Sequence, residues 1–558
     1  MPATEIYADM AIVRSLCGQC GMGCGVRAMT GMQRNVRIEG DKAHPANAGR
    51  LCERAGALTV MTDLDGRMLH PLVDGKPQSW DRSIAHIAKR LAAVQARHGP
   101  GSVALHVGGG LLTEDYYVAN KLMKGFLGSA HIHAPWRGAI GQVQRAAYGE
   151  DVMPAALEDI DRAELILIAD PAALLAHPLL LERVQHARAT RGTSLVVLGD
   201  GDGLETDMRV PVRAGSVGRL LAGWLLHSID GGLIDADFVA RHVTIPDGFR
   251  DRLAPGHDLW SVARACGIEP GQVRDFYDAM GAADHCVTLF GETAGADVAA
   301  AAINLHLLTG RIGRPGAAPF ALPSGANSMG AREVGCHADE LAAHGDFSEP
   351  VRANIARFWG ARQLVEQPGL EGDALLDAMR DGKVRALWSI GTDDGAAEWL
   401  RAARSAVPLS IRSTDRAEEA ADGWTLCLSS ANWIEKDGTV TGLDRLVSRQ
   451  RRLFDLPGAA RPDWWMLTRV AQAMGWGDAF HYEQPADIYR EYGRLTAYRN
   501  DGTRLLNLRR HAPISNPAYA ELTPWRWGEV PFDGGHFPTP DGRARLLPIA
   551  GQAEAAIP

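Results

Sequence analysis

The chain has 558 residues, which at roughly 150 residues per domain suggests about three to four domains. Hydrophobic residues make up 46% and charged residues 22%, so whole-chain disorder is excluded, and a net charge of −9 argues against a protein that wraps nucleic acid. Glycine is in excess, 62 residues or about one in nine against an average near 7%, which predicts many tight turns or close backbone approaches to something bound.

The first residues carry Glu5 and Asp9 and no basic stretch, unlike a secretory or twin-arginine leader. The longest apolar segment, 165–181, is broken by Asp170, Pro171, His177 and Pro178, so no membrane span is predicted. Both features predict a cytoplasmic protein. Residues 1–64 read as a loop-rich cap with short strands at 26–29 and 34–39. SWDRSIAHIAKRLAAVQARHG (79–99) reads as a helix: Ser79 caps it, Ile84, Ile87, Leu91 and Val94 share one face, and Gly99 ends it. SVALHVGGG then reads as a buried strand running into a glycine turn. GGG alone is a weak signal for a phosphate cradle, because it lacks the wider dinucleotide fingerprint.

The same unit recurs. AELILIAD (163–170), TSLVVLGDGDG (193–203), HCVTLFGETAG (285–295), VRALWSIGTDDG (384–395) and VPLSIRST (407–414) read as strands of continuous Val, Ile and Leu, with a helix at 179–192 between the first two. Such strands alternating with helices predict parallel sheets covered on both faces, with ligands at the loops after the strand ends. From about residue 440 the chain changes character, with Trp464, Trp465, Trp476, Trp525 and Trp527 among Pro and Gly.

Four of the eight cysteines form a pattern: Cys17-x2-Cys20-x3-Cys24, then 27 residues, then Cys52. In a reducing cytosol this reads as a metal site rather than disulfides. One loop supplies three sulfurs and a return segment the fourth, and glycines between them let the backbone turn around a cluster. A four-cysteine zinc site is the alternative, although zinc ligands usually come as two separated pairs. The pattern favours a [4Fe–4S] cluster. Cys286 and Cys427 read as small buried hydrophobes; Cys266 and Cys336 also occur singly.

Several long segments together resemble the catalytic subunit of bacterial assimilatory nitrate reductases, within the molybdopterin oxidoreductase superfamily. They are CGQCGMGCG with GRLCER, LLTEDYYVANKLMKGFLGSA (111–130), LLTGRIGRPG (307–316), ANSMGAREVG (326–335), WIEKDGTVT (433–441) with SRQR (448–451), ARPDWW (460–465) and TPDGRARLLP (539–548). The resemblance implies an α/β molybdopterin-oxidoreductase fold with an iron–sulfur cap and two Rossmann-like parallel-sheet domains. The expected division is 1–64 for the cap, 65–150 with 336–440 for one α/β domain, 151–335 for the other, and 441–558 for an extension packing back on the cap and the α/β domains. It implies that electrons pass through the cluster to molybdenum held by two pterin guanine dinucleotides. Arg54, Arg137, Asn327 and Arg332 are the expected cofactor contacts, and Glu435, Lys436 and Asp437 are expected near the pocket.

The chain departs from the family pattern in four places. The molybdenum-binding cysteine, two residues after an arginine in the family, falls on Ala139, and no Cys, Ser or Asp occurs from His131 to Gln144. His131 and His133 are metal-ligand residue types in that stretch, although an ordinary polar role is expected for them. The family's Asp-Pro-Arg at a strand end is replaced by LGDGDGLETD with Asp200 and Asp202, which disfavours an anion there. A C-terminal pterin-binding β domain is expected after TPDGRARLLP, and the chain stops at Pro558. The family lysine two residues after the last cluster cysteine is Arg54, which keeps the charge but not the geometry.

The expectation is therefore an electron-transfer or assembly protein that kept its cluster and lost molybdenum, as the related large subunits of respiratory NADH dehydrogenases did. Two alternatives stand beside it: an active molybdenum-dependent nitrate reductase with its last domain in another chain, and a redox regulator or structural scaffold. The expected partners are a ferredoxin-, flavodoxin- or NADH-linked electron donor or acceptor and a subunit supplying the last domain. Neither nucleic acid nor membrane is expected.

Overall fold

A computed structural model describes residues 11–362, 364–392 and 394–549. Residues 1–10, on which part of the leader reading rests, and the last nine residues of the expected 441–558 extension lie outside the described residues. Asp393 of the 384–395 segment does too.

The cap is an antiparallel meander of Ala11–Leu16, Gly25–Thr30 and Val36–Gly40. Its last strand starts two residues later than the apolar pattern predicts. Gln33 and Arg34 turn at φ 55° and 60°, a left-handed pair that no strand accommodates.

Two larger sheets form the body. One is wholly parallel, in the order Met208–Val210, Ser194–Leu198, Leu165–Ile168, Cys286–Gly291, Ala318–Leu322. The other has seven strands. Leu426–Ser429, Leu409–Thr414, Ala386–Ile390, Val103–Val107 and Ile132–His133 run parallel, and an antiparallel ribbon, Leu72–Val73 and Lys76–Pro77, is added at one edge. The strands Val103–Val107, Leu165–Ile168 and Cys286–Gly291 are buried along their whole length, because helices cover both faces. One covering helix is Trp80–His98. The Ser79 hydroxyl accepts from the Arg82 N–H at its start, and Gly99 at φ 80° ends it.

A third sheet, Gly438–Thr441, Leu446–Gln450 and Trp525–Arg526, lies beside the cap. Gln450 joins the two: its Oε1 accepts from the Ser15 hydroxyl at 3.0 Å and the Leu16 N–H at 3.2 Å. Among the described residues no helix is long and apolar enough to cross a membrane.

Candidate functional site

The three clustered cysteines occupy the hairpin turn between the first two cap strands. The Cys17 N–H donates to the Cys24 carbonyl at 2.9 Å and closes this loop. Gly23 at φ +66° makes the turn, and Gly18 lies so close to the Trp433 indole that a Cβ there would meet the ring at 2.5 Å. Cys52 returns at the start of the short helix Glu53–Gly56. Asn47 links the two segments: its Oδ1 accepts from the Gly25 N–H at 2.9 Å, and its Nδ2 donates to the carbonyls of Gly25 and Arg50.

Burial pushes the Cys17 thiol up to about 12, and it also raises Cys20 and Cys24. The sulfurs are close enough that charge on one raises its neighbours further, with Cys17, Cys20 and Cys52 all acting on Cys24. Four neighbouring thiolates, two of them buried, require a compensating cationic centre. Among the described residues no three of these sulfurs lie within 4.8 Å of one another. A tetrahedral zinc with Zn–S bonds of about 2.3 Å would hold them about 3.8 Å apart. The donor set fits an iron–sulfur core.

Arg54 stands beside Cys20 and lowers its thiol pKa, against the larger effect of burial. It also donates to the Ala176 carbonyl at 2.8 Å and lines a 250 Å³ cavity with Cys20, Asp170, His177, Glu292 and Ser324. Asp170 and Ala172 also line a second cavity of 700 Å³ at the carboxyl ends of the parallel strands. The bound group in such folds sits in a crevice of this kind. Gly199, Gly215 and Gly295 offer backbone there, Arg213 and Arg219 supply positive charge, and Asp170 and Asp200 supply negative charge. The volume and the guanidiniums fit the nucleotide end of a pterin dinucleotide; the carboxylates weaken the fit to phosphate.

The molybdenum side fits poorly. Ala139 offers only a methyl group where the resemblance places a sulfur, and it begins the helix Ile140–Tyr148. The chain before it is pressed onto the opposite loops: a Cβ on Gly138 would meet the Glu292 carbonyl oxygen at 1.8 Å, and the Ser324 hydroxyl donates to the Trp136 carbonyl. Arg137 points to Asp339, 2.8 Å away. Arg332 is buried and donates from Nε to Asp151 at 2.7 Å and from Nη2 to Gln144 at 2.7 Å, with Glu292 at 3.5 Å. Arg145 faces Glu340 at 2.9 Å, and the His344 Nδ1 lies 2.9 Å from Glu150. Internal charges thus satisfy Arg137 and Arg332, two of the three guanidiniums that the resemblance assigns to a cofactor.

Other singled-out residues hold segments together. Asn327 donates to the Leu111 carbonyl and accepts from the Thr441 N–H, both at 2.9 Å. Glu435 receives Arg34 at 2.6 Å and Arg67 at 2.8 Å, tying the cap to the body. Lys436 binds Asp463 at 2.7 Å, and Asp437 binds Arg449 at 2.6 Å. His131 and His133 accept backbone N–H groups of Leu370 and Gly372 through Nδ1, and His133 packs on Trp399. The Gly109 N–H, in the glycine turn, is taken by Asp394, which disfavours a phosphate there. Cys336 is buried, and Lys124 caps the carbonyls around it, donating to Gly335, His337 and Glu340.

Residues not singled out from the sequence include Glu150, Asp151, Glu340 and His344. Acids and a histidine scattered through GEDVMP and ELAAHG carry no spacing signal except Glu340-x3-His344, and burial is what makes them conspicuous.

A four-cysteine cap against a parallel-sheet body with strand-end cavities is the arrangement that the resemblance to molybdopterin oxidoreductases implies, and sequence comparison agrees. The chain belongs to the molybdopterin oxidoreductase family, whose model matches residues 67–473, and the molybdopterin oxidoreductase Fe4S4 domain matches residues 10–60. That family implies a [4Fe–4S] cluster and a molybdopterin cofactor. Among its relatives, a nitrate reductase of Klebsiella oxytoca is 37% identical over 98% of this chain and 65% of its own length. A nitrate reductase of Shewanella frigidimarina (strain NCIMB 400) is 32% identical over 96% of this chain and 61% of its own. The chain thus spans somewhat under two-thirds of these relatives. The solved acetylene hydratase from Pelobacter acetylenicus shares the fold, with a TM-score of 0.75 at 17% identity over 96% of this chain and 77% of that one.

Proposed function

We propose that this nitrate-reductase-like chain is a redox protein that carries electrons through a [4Fe–4S] cluster held by Cys17, Cys20, Cys24 and Cys52, and that it reduces no nitrate at molybdenum. The observation that carries this reading is the contrast between two places. Three cysteines share one loop and Cys52 returns beside them, with Cys17 and Cys24 buried, whereas Ala139 has no donor atom and the nearby Arg137 and Arg332 are committed to Asp339 and Asp151.

A bound cluster supplies one-electron storage. The residues around it set its conditions. Trp433 lies over Gly18, and its Nε1 donates to the Leu16 carbonyl at 2.9 Å, which fixes the indole. The Arg54 guanidinium beside Cys20 stabilises added negative charge, and it faces the cavity through which an electron would leave or arrive. A ferredoxin-, flavodoxin- or NADH-linked reductase is the fitting partner class. The 700 Å³ strand-end cavity supports a second reading, in which a pterin dinucleotide still binds and serves as an electron relay or a structural part.

The test is to reduce the anaerobic protein with dithionite, follow the cluster by electron paramagnetic resonance, and add nitrate. The reduced signal is expected to persist with no nitrite formed. Nitrate reduction follows NO3− + 2H+ + 2e− → NO2− + H2O, so loss of the signal with half an equivalent of nitrite per electron would contradict the proposal.

A further inference from the structure

The buried network beyond Ala139 has more negative than positive charge at its centre. Asp151, Glu340 and His344 each present a ligand atom, and these three atoms lie within 4.8 Å of one another; all three residues are buried. Glu340 makes the cluster more than a set of paired acids. Both of its carboxylate oxygens are shielded from solvent and neither accepts a hydrogen bond, although Arg145 lies 2.9 Å from one of them. A buried carboxylate with unused acceptor capacity is costly unless something cationic meets it.

The charges around the triad point the same way. Three carboxylates, Asp151, Glu292 and Glu340, face two guanidiniums, Arg145 and Arg332, while Glu150 faces His344. The neighbouring Arg137–Asp339 pair is neutral, and the ammonium of Lys124 is taken up by three backbone carbonyls. With all of them ionised, the three carboxylates outnumber the two guanidiniums by one. The arginines do not exhaust the ligands, since an ionised carboxylate has about four lone-pair sites and can hold a guanidinium and a metal together.

His344 is already oriented. Its Nδ1 faces Glu150, and Glu150 is itself fixed by the N–H groups of Leu505 at 2.6 Å and Leu506 at 3.0 Å. A carboxylate on Nδ1 holds an imidazole in the tautomer whose Nε2 lone pair can bind metal, as second-shell carboxylates do at histidine metal sites.

We propose that Asp151, Glu340 and His344 bind one divalent first-row metal ion, with Glu150 as the positioning residue. Two carboxylates and one imidazole suit Mn²⁺, Fe²⁺ or Zn²⁺ better than copper(I), which prefers sulfur. Arg145, whose side chain is 20% exposed, is the most accessible of these groups.

The test is Mn²⁺ titration of the full-length, cluster-loaded protein after chelator treatment, read by loss of the free-ion resonance signal, with iron and acid-labile sulfide counted separately so that cluster content and this site are independent. One Mn²⁺ per chain is expected. Glu340→Gln and His344→Gln should each weaken binding at least tenfold, and Glu150→Gln by roughly ten- to a hundredfold, with cluster absorbance unchanged. No bound Mn²⁺ in the wild-type protein would leave an ion-pair network only and overturn the proposal, whatever the variants' stability. Equal binding by folded Glu340→Gln and His344→Gln proteins would overturn it as well.

Discussion

At the scale of single residues, burial and charge decide what the matched motifs do. Arg332 lies in a segment that, by resemblance, should face a cofactor, yet its guanidinium is locked onto Asp151 inside the protein. Removing one partner of such a buried pair leaves the other charge uncompensated, at a cost of about 3–5 kcal/mol. Arg332→Ala is expected to lose stability of that order in chemical denaturation, with no cofactor present; a change below about 1 kcal/mol would show that Arg332 is free to serve a ligand.

Glu333, next in the chain, is held by Trp527 at 2.7 Å and Thr441 at 2.9 Å, yet burial outweighs these bonds and pushes its carboxyl up to about 7. A carboxyl whose pKa rises on folding favours the folded state at low pH. That contribution is full below the unfolded value of about 4.5 and is lost as pH rises through about 7. Denaturation between pH 4.5 and 7.5 should show this downward slope, and Glu333→Gln should flatten it. An unchanged slope in Glu333→Gln would place the titration elsewhere.

At the scale of elements, most of the architecture was legible in the sequence. Buried parallel strands announce themselves as unbroken Val, Ile and Leu runs, and the segments at 163–170, 193–203, 285–295, 384–395 and 407–414 each contain one. The strand Ala318–Leu322 was not legible, because Pro319 interrupts it. The proline is tolerated because this strand lies at the sheet edge and pairs only with Cys286–Gly291. Leu289, on that neighbouring central strand, is fully buried. Leu289→Ala should cost about 2–5 kcal/mol by denaturant midpoint, and a loss below 1 kcal/mol would mean the sheet core is loosely packed. The loop that carries three cysteines was legible from their spacing; the strand Ala11–Leu16, which makes it a hairpin, was not. The charge network was not: Asp151 and Glu340 are far apart in sequence, and only the packing of the 137–151 segment against residues 332–344 brings them together.

At the scale of the whole molecule, one family fold carries two differently treated sites. At the cap, a closed hairpin with a tight glycine turn carries three cysteines, and a segment tied to it through Asn47 brings the fourth. Across the adjoining cavity, the position that resembles a molybdenum ligand is an alanine, and the guanidiniums around it have internal partners. The 37% identity to a nitrate reductase over nearly the whole chain explains the shared scaffold; the chemistry follows from the side chains in each site. The most direct measurement is iron, acid-labile sulfide, molybdenum and releasable pterin on the protein purified without oxygen from cells supplied with molybdate. This account predicts about four irons with matching sulfide in the cluster and no stoichiometric molybdenum. One molybdenum per chain, with nitrate turned over to nitrite, would contradict it.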